Sequence, residues 1–223
     1  MRVVRGARIG LSAILVLAAC SAEPTPSPRP ACPTEAPTTV SAQAILEDAS
    51  LATVTVSGAV TGEFGFELYG DQAPIATANF VALARCGFYD GIWFHRILAG
   101  FVIQAGDPET KTHDAPFEEM GRGGAGYEFE IEPPAEGLNY FPYTVAMAND
   151  TQTNDSQFFV TLIDLAGRLD LLYTIFGQVV SGTDVIDEIA AVPVANADGV
   201  PLELVIIESI QISGGSAPLP SGE

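Results

Sequence analysis

Residues 94–107 read FHRILAGFVIQAGD, a largely apolar run that contains a single arginine, Arg96. An arginine among apolar side chains loses solvation unless other groups accept hydrogen bonds from its five N–H donors. Phe101 and the carboxamide of Gln104 follow in the same run. The composition therefore indicates either a cleft with an apolar wall and one positive, donor-rich point, or an arginine that pairs with one of the chain's many acids.

The sequence on both sides of this run alternates between apolar and polar residues, as half-buried strands do. Alternation predicts strands at 53–56 and 64–69, after which Pro74 opens a helical period that Gly87 closes. A second helix is predicted at 183–190. Further strands are predicted at 93–97, 102–104, 127–131, 143–148, 157–161, 174–179 and 203–209. Many short strands with two helices indicate a mainly β fold, a closed antiparallel β-barrel capped by two α-helices.

Composition limits the kinds of function that this chain can have. It has 223 residues, 48% of them apolar, which is enough for one domain with its own core. Its 28 acidic side chains against 9 basic ones repel phosphate backbones, so nucleic acid is excluded as an expected partner. The two histidines, His95 and His113, are too few for a three-imidazole metal site, and neither HExxH nor GxxxxGK occurs. The composition predicts an acidic, soluble and exported domain.

The N-terminus has the features of an export signal. A basic stretch precedes an apolar run, and Leu17-Ala18-Ala19-Cys20 resembles the lipobox of bacterial lipoproteins, in which the cysteine is acylated. An ordinary cleaved signal with an incidental cysteine is the alternative. We predict a signal peptide at 1–20, a Pro/Ser/Thr-rich tether at 21–40, a folded domain at 41–212 and a loose tail at 213–223. Lipid on Cys20 would anchor the protein on the outer, non-cytoplasmic face of the membrane.

Two further cysteines, Cys32 and Cys86, remain once Cys20 is assigned to lipid. In an oxidising compartment they can pair and tie the end of the tether onto the domain. The alternative is one buried and one exposed thiol.

Two other patterns look functional at first reading. Residues 121–126, GRGGAG, match the dinucleotide fingerprint GxGxxG, but strand-like alternation and several carboxylates surround them instead of a strand before and a helix after. Residues 149–155 are rich in oxygen ligands, as a calcium loop is, yet they lack the glycine and the distal glutamate of the EF-hand pattern. We interpret the second segment as a polar loop and exclude dinucleotide binding by the first.

The run at 94–107, together with residues 147–160, MANDTQTNDSQFFV, resembles the core signature of the cyclophilins, a family of peptidyl-prolyl cis-trans isomerases. Similarity extends to the segments FGFELYGDQAPIATANFVALARCGFYDG, GRGGAGYEFEIE and LDLLYTIFGQVVSGTDVIDEI, in the order of the family. The resemblance covers about residues 52–211 and implies an eight-stranded barrel. It also implies an isomerase that needs neither metal nor cofactor.

The resemblance assigns roles to individual residues. It implies that Arg96 is the catalytic arginine, Gln104 its hydrogen-bonding neighbour and Phe101 part of the catalytic pocket. It also implies a substrate-binding set, in which apolar residues hold the proline ring, a strand edge binds the peptide backbone, and Tyr173 takes the place of a common histidine: Val102, Ala148, Asn149, Gln157, Phe159, Leu169 and Tyr173. The implied partners are proline-containing segments of unfolded or exported proteins, bound by a monomer.

Some positions depart from the family pattern. Arg168 stands where a tryptophan is common, which puts tight cyclosporin binding in doubt. Leu171 and Leu172 replace a usual Gly-Lys, Ala105 replaces a glycine, and the loop at 107–120 is longer than usual. These departures concern specificity more than chemistry. They leave room for an alternative function, a non-catalytic module that holds proline peptides as a scaffold at the cell surface.

Overall fold

The structure is a computed structural model that describes residues 28–112, 120–149 and 152–214. Cys20, the signal segment, part of the loop at 107–120 and most of the C-terminal tail lie outside the described residues. None of the helices in these three ranges is long and apolar enough to cross a membrane.

Nine strands and three α-helices make up the described fold. The helices are α1 Thr39–Leu46, α2 Pro74–Cys86 and α3 Thr183–Ala190, and a short 3-10 helix covers Pro108–Thr112. The strands are β1 Leu51–Gly58, β2 Gly62–Leu68, β3 Arg96–Leu98, β4 Val102–Ala105, β5 Phe129–Glu130, β6 Thr144–Asn149, β7 Thr153–Thr161, β8 Ile175–Ser181 and β9 Val205–Ser213. The helix predicted at 183–190 is confirmed residue for residue.

The strands form one antiparallel sheet in the order β3-β4-β7-β6-β8-β2-β1-β9, and β5 pairs with β7 off this path. The prediction of a mainly β fold is confirmed, and both predicted helices are present, as α2 and α3. The sheet is a curled half-barrel that stays open, so the prediction of a closed barrel is wrong. The physical reason lies at the edges. Strand β3 is only three residues long, and it does not pair with β9. The residues before it, 91–94, join β9 through an isolated bridge between Trp93 and Ile206 and three backbone hydrogen bonds, not through a continuous ladder.

The core lies between the concave side of the sheet and helix α2. In β1 every second residue is buried, as the alternation predicted. Aromatic rings from α2, β2, β7 and β8 fill the centre, where the Phe80 ring lies 5.3 Å from that of Phe66, 5.5 Å from Phe158 and 5.2 Å from Phe176. This packing fixes the position of β7, which carries several residues of the predicted site.

Helix α2 receives its N-terminal cap from a distant residue. Pro74 occupies the first turn, and the residue before it, Ala73, has no side chain that can cap the helix. The carboxylate of Glu132 replaces it, because its two oxygens accept hydrogen bonds from the backbone N–H groups of Ile75, at 3.0 Å, and Ala76, at 2.8 Å. Gly87 ends the helix with a φ of 79°, a left-handed conformation that favours glycine.

The N-terminal segment packs against α2. Cys32 and Cys86 form a disulfide with a Cα–Cα distance of 5.1 Å, and Arg29 forms an ion pair with Asp90. Helix α1 was not predicted and begins at Thr39, two residues before the predicted start of the domain. The guanidinium of Arg85 on α2 donates to the carbonyl of Ile45 at 2.6 Å and so holds α1 in place.

Candidate active site

A cavity of about 590 Å³ opens on the face formed by β3, β4, β7 and the end of β6. The strand register explains why its central residues meet. Arg96 on β3 pairs with Gln104 on β4, and Gln104 pairs with Phe159 on β7. Directly paired residues in antiparallel strands project from the same face of the sheet. The cavity is lined by His95, Arg96, Phe101, Val102, Gln104, Met120, Gly121, Arg122, Ala148, Asn149, Phe159, Leu169, Tyr173 and Asp198.

Nine of the ten residues predicted for catalysis and substrate binding line this cavity. The tenth, Gln157, lines an adjoining cavity of about 330 Å³ that also contains Gln104 and Asn149. The structure therefore brings together residues from four separate strands and from the 165–173 loop.

Arg96 is half-buried and is held by a neutral amide. Its Nη1 donates to Oε1 of Gln104 at 3.3 Å. Nε2 of Gln104 in turn donates to Oε1 of Gln157 at 2.9 Å, and Nε2 of Gln157 donates to the carbonyl of Gly123 at 2.8 Å. Across the three described ranges, the ion pair found is that of Arg29 with Asp90, so no described carboxylate pairs with Arg96. The alternative that Arg96 pairs with one of the chain's acids is not what the described residues show.

The glycine-rich loop at 121–126 has a structural explanation that differs from nucleotide binding. The buried carboxylate of Asp107 accepts from the N–H of Gly121 at 2.6 Å, and a Cβ on Gly123 would collide with the same carboxylate. A Cβ on Gly124 would likewise collide with Asp155. Glycine is needed at these positions because the backbone lies against two carboxylates, with no room for a Cβ. The same path places the Gly123 carbonyl within hydrogen-bond distance of the Gln157 side chain.

The apolar wall of the cavity belongs to a small second core. Val102 and Phe159 are buried, while Phe101 and Leu169 are half-buried against them. Tyr140, which sequence reasoning missed, is fully buried beneath this wall and its ring lies 6.5 Å from that of Phe159. No motif marks Tyr140 in the sequence.

Tyr140 also fixes the position of Tyr173. Its hydroxyl donates to the carbonyl of Tyr173 at 2.9 Å and accepts from the N–H of Tyr173 at 3.0 Å. The Tyr173 ring then packs edge-on against Phe159, with centroids 5.4 Å apart. Burial raises the pKa of Tyr140 to about 12, so its hydroxyl stays protonated and keeps both bonds at neutral pH.

His95 lines the cavity and was not predicted, although it directly precedes Arg96; Met120, Gly121, Arg122 and Asp198 also line it and were not predicted. Both of its ring nitrogens are buried, and neither has a hydrogen-bond partner among the described residues. Burial lowers the pKa of His95 to about 4, because desolvation disfavours the charged imidazolium. At neutral pH the imidazole is uncharged, and Arg96 is the permanent positive charge beside it.

Asp155 borders the smaller cavity, where burial raises the pKa of its carboxyl group. The N–H of Gln157 donates to its Oδ1 at 2.9 Å, which opposes this shift. Oδ1 of Asp155 is therefore already engaged by the backbone of Gln157.

Comparisons with known proteins agree on one family. Residues 51–212 match the family model described as cyclophilin type peptidyl-prolyl cis-trans isomerase/CLD. Peptidyl-prolyl cis-trans isomerase A of Mycobacterium tuberculosis is 39% identical over 170 residues, which cover 68% of this chain and 87% of that protein. Peptidyl-prolyl cis-trans isomerase-like 3 of Dictyostelium discoideum is 36% identical over 155 residues, 68% of this chain and 89% of that protein.

A solved structure extends the similarity to three dimensions. The crystal structure of a cyclophilin type peptidyl-prolyl cis-trans isomerase from Cryptosporidium parvum superimposes with a TM-score of 0.63 at 30% identity, covering 76% of this chain and 99% of that one. The same enzyme in the presence of the dipeptide Ala-Pro gives the same TM-score over 74% of this chain. The sequence match, the fold and the clustering of the predicted residues together show that this chain belongs to the cyclophilin family of peptidyl-prolyl cis-trans isomerases.

Proposed function

We propose that the chain isomerises X-Pro bonds without forming a covalent intermediate, and that Arg96 stabilises the transition state. Rotation about a peptide bond faces a barrier of about 18–20 kcal/mol because it breaks amide resonance. In the twisted state the prolyl nitrogen becomes pyramidal and regains a lone pair. A donor placed against that nitrogen binds the twisted state better than either planar isomer, and this difference is what accelerates the reaction.

The observation that carries the proposal is that a neutral amide holds Arg96 in a cavity that has one apolar wall. Because Gln104 orients the guanidinium without neutralising it, the charge and the remaining N–H donors stay available to a bound peptide. Phe101 and Phe159 grip the proline ring while the acyl side turns. The apolar wall excludes water, which strengthens an electrostatic interaction with the substrate.

A protease-coupled or exchange-NMR assay on an Ala-Pro peptide tests this proposal. Removing one transition-state donor typically costs about 100- to 1000-fold in rate, and we expect a loss of that size for Arg96→Ala. Arg96→Lys should recover little, because a lysine lacks the rigid planar fork. Arg85→Ala is the matched control, since Arg85 is also half-buried and also donates to a neutral oxygen, but it lies on α2. Activity of Arg96→Ala equal to that of the control would refute the role of Arg96.

We also place the enzyme in the cell envelope, where it acts as a monomer on prolines of exported proteins. The lipobox-like end of the signal sequence supports lipidation of Cys20, and the proline-rich segment that follows suits a spacer above a membrane. The Cys32–Cys86 disulfide supports an oxidising compartment.

Cell fractionation tests the anchor. Cys20→Ala should move the protein from the membrane fraction to the soluble fraction, whereas Cys32→Ala should leave it with the membrane, since Cys32 pairs with Cys86. An unchanged distribution of Cys20→Ala would remove the lipid anchor from the proposal.

A further inference from the structure

Two adjacent leucines are exposed beside the cleft. Leu171 and Leu172 expose 47% and 51% of their surface. Tyr173, directly after the pair, and Leu169, separated from it by the exposed Asp170, line the larger cavity. The other large apolar side chains exposed in the described ranges, among them Val40 and Leu202, are not next to one another in the chain. Single exposed leucines are ordinary, but an adjacent pair at the rim of a binding site requires an explanation.

The exposure of the pair does not come from a loose loop. The side chain of Asn149, at the end of β6, donates to the carbonyl of Leu172 at 2.8 Å. The N–H of Leu172 donates to the carbonyl of Asp170 at 2.7 Å, and the next residue, Tyr173, is bound through its own N–H to the Tyr140 hydroxyl. The backbone is therefore held from the strand side and from the core side at the place where the leucine side chains are exposed.

The pair lies in the chain between two residues of the apolar wall of the cleft, Leu169 and Tyr173. That wall runs from Phe159 through Leu169 and Tyr173, which belong to one apolar cluster. Asn149 contacts the Leu171–Leu172 loop on one side and lines both cavities on the other. An extended peptide advances by about 3.3 Å per residue. A bound peptide whose proline occupies the cavity therefore places the side chains of the neighbouring residues at the edge of the cavity, near Leu171 and Leu172.

We infer that Leu171 and Leu172 form a subsite that selects proline segments with a large apolar side chain within two residues of the proline. This inference rests on the proposed function, because it takes the bound chain to be the substrate of the cleft. The occupant is a leucine- or phenylalanine-class side chain of that same segment. Such sequences are buried in folded proteins and exposed in unfolded ones, so the subsite directs the enzyme toward unfolded chains instead of polar surface turns.

The test measures selectivity with two peptide series, Xaa-Ala-Pro-Ala and Ala-Ala-Pro-Xaa, where Xaa is leucine or serine. For the wild-type protein we expect kcat/KM for leucine to exceed that for serine by roughly fivefold to tenfold in at least one series, the scale of one or two buried methylene groups. The double variant Leu171→Ser, Leu172→Ser should reduce the ratio to about one. It should leave turnover of the serine peptides unchanged, because the hydrogen bonds of the loop come from its backbone.

Leu202→Ser is the matched control, since Leu202 is 65% exposed and is not among the cavity residues. Equal selectivity in the wild type and the double variant would overturn the inference while leaving the isomerase intact. If the wild-type protein isomerised none of the peptides, the proposed function itself would be wrong. If the double variant changed only sedimentation or binding to phosphatidylglycerol vesicles, the leucines would belong to a contact between copies or with lipid, and the peptide subsite would be wrong.

Discussion

The hydrogen-bond relay behind Arg96 can be tested by removing its buried middle member. Gln157 is 5% exposed and links Gln104 to the Gly123 carbonyl through two hydrogen bonds, of 2.9 and 2.8 Å. Gln157→Leu replaces the amide with a shorter apolar side chain and leaves Nε2 of Gln104 and the carbonyl of Gly123 without these hydrogen bonds. Unmade buried hydrogen bonds cost about 1–3 kcal/mol, so we expect a loss of unfolding free energy in that range.

The effect on catalysis follows from the position of Gln104. Its bond to Arg96 is long, at 3.3 Å, so the amide holds the guanidinium only if Gln157 fixes its orientation. We expect kcat/KM on an Ala-Pro peptide to fall about tenfold, equivalent to about 1.4 kcal/mol, with most of the change in kcat. Introduced on top of Arg96→Ala, the same substitution should have little further effect on rate, because its influence passes through Arg96.

Gln178→Leu separates loss of stability from loss of positioning. Gln178 on β8 also makes two hydrogen bonds: its Nε2 donates to the Pro142 carbonyl at 2.9 Å, and its Oε1 accepts from Oγ1 of Thr144 at 3.1 Å. It does not line either cavity. Its kcat/KM should stay within about twofold of wild type. The reasoning is refuted if the two variants have equal activity, if Gln157→Leu raises KM without lowering kcat, or if its effect adds fully to that of Arg96→Ala.

Three further predictions concern stability. The disulfide closes a loop of 54 residues, so a Cys32→Ser, Cys86→Ser variant should lose up to about 4 kcal/mol of unfolding free energy in urea titrations, and equal stability would contradict this. Glu132→Gln removes the charge and one acceptor at the start of α2 and should cost about 1 kcal/mol, whereas the exposed Glu130→Gln should cost almost nothing. Because burial lowers the pKa of His95 to about 4, the unfolded state binds more protons between pH 6.5 and 4. Up to about 3 kcal/mol of stability present at pH 7 should be lost over that window in wild type but not in His95→Gln.

The central part of the site was predictable because short-range patterns encode it. Arg96 and Gln104 lie on two strands joined by a tight turn, so their separation in sequence fixes their register once the hairpin forms. The family signature supplied the long-range partner, Phe159, which lies opposite Gln104 on β7. The relay through Gly123 was not predictable, since it depends on the path of a loop over two carboxylates.

The errors arose where tertiary contacts override local preference. Helix α1 begins in a segment rich in proline, serine and threonine, which composition alone indicates to be a tether. Its start nevertheless carries a local signal, because Thr38 and Ser41 cap each other's backbone N–H groups. The long-range bond from Arg85 to Ile45 then holds the helix against α2. The prediction of a closed sheet was wrong for a similar reason. Pairing between the edge strands β3 and β9 depends on a register that no local sequence pattern specifies.

In this acid-rich chain no described carboxylate forms an ion pair with Arg96, although Asp198 lines the same cavity. With 28 acidic side chains against 9 basic ones, an arginine at a cleft would readily acquire a carboxylate partner, which would reduce its pull on a developing lone pair. The buried carboxylate of Asp107 and the half-buried carboxylate of Asp155 accept hydrogen bonds from the backbone N–H groups of Gly121 and Gln157. Neutral amides then orient Arg96. The same segments therefore serve both purposes. Gly121 and Gln157 bind the two aspartates through their backbone N–H groups, while the Gly123 carbonyl and the Gln157 side chain position Gln104, which holds Arg96 without an acidic partner.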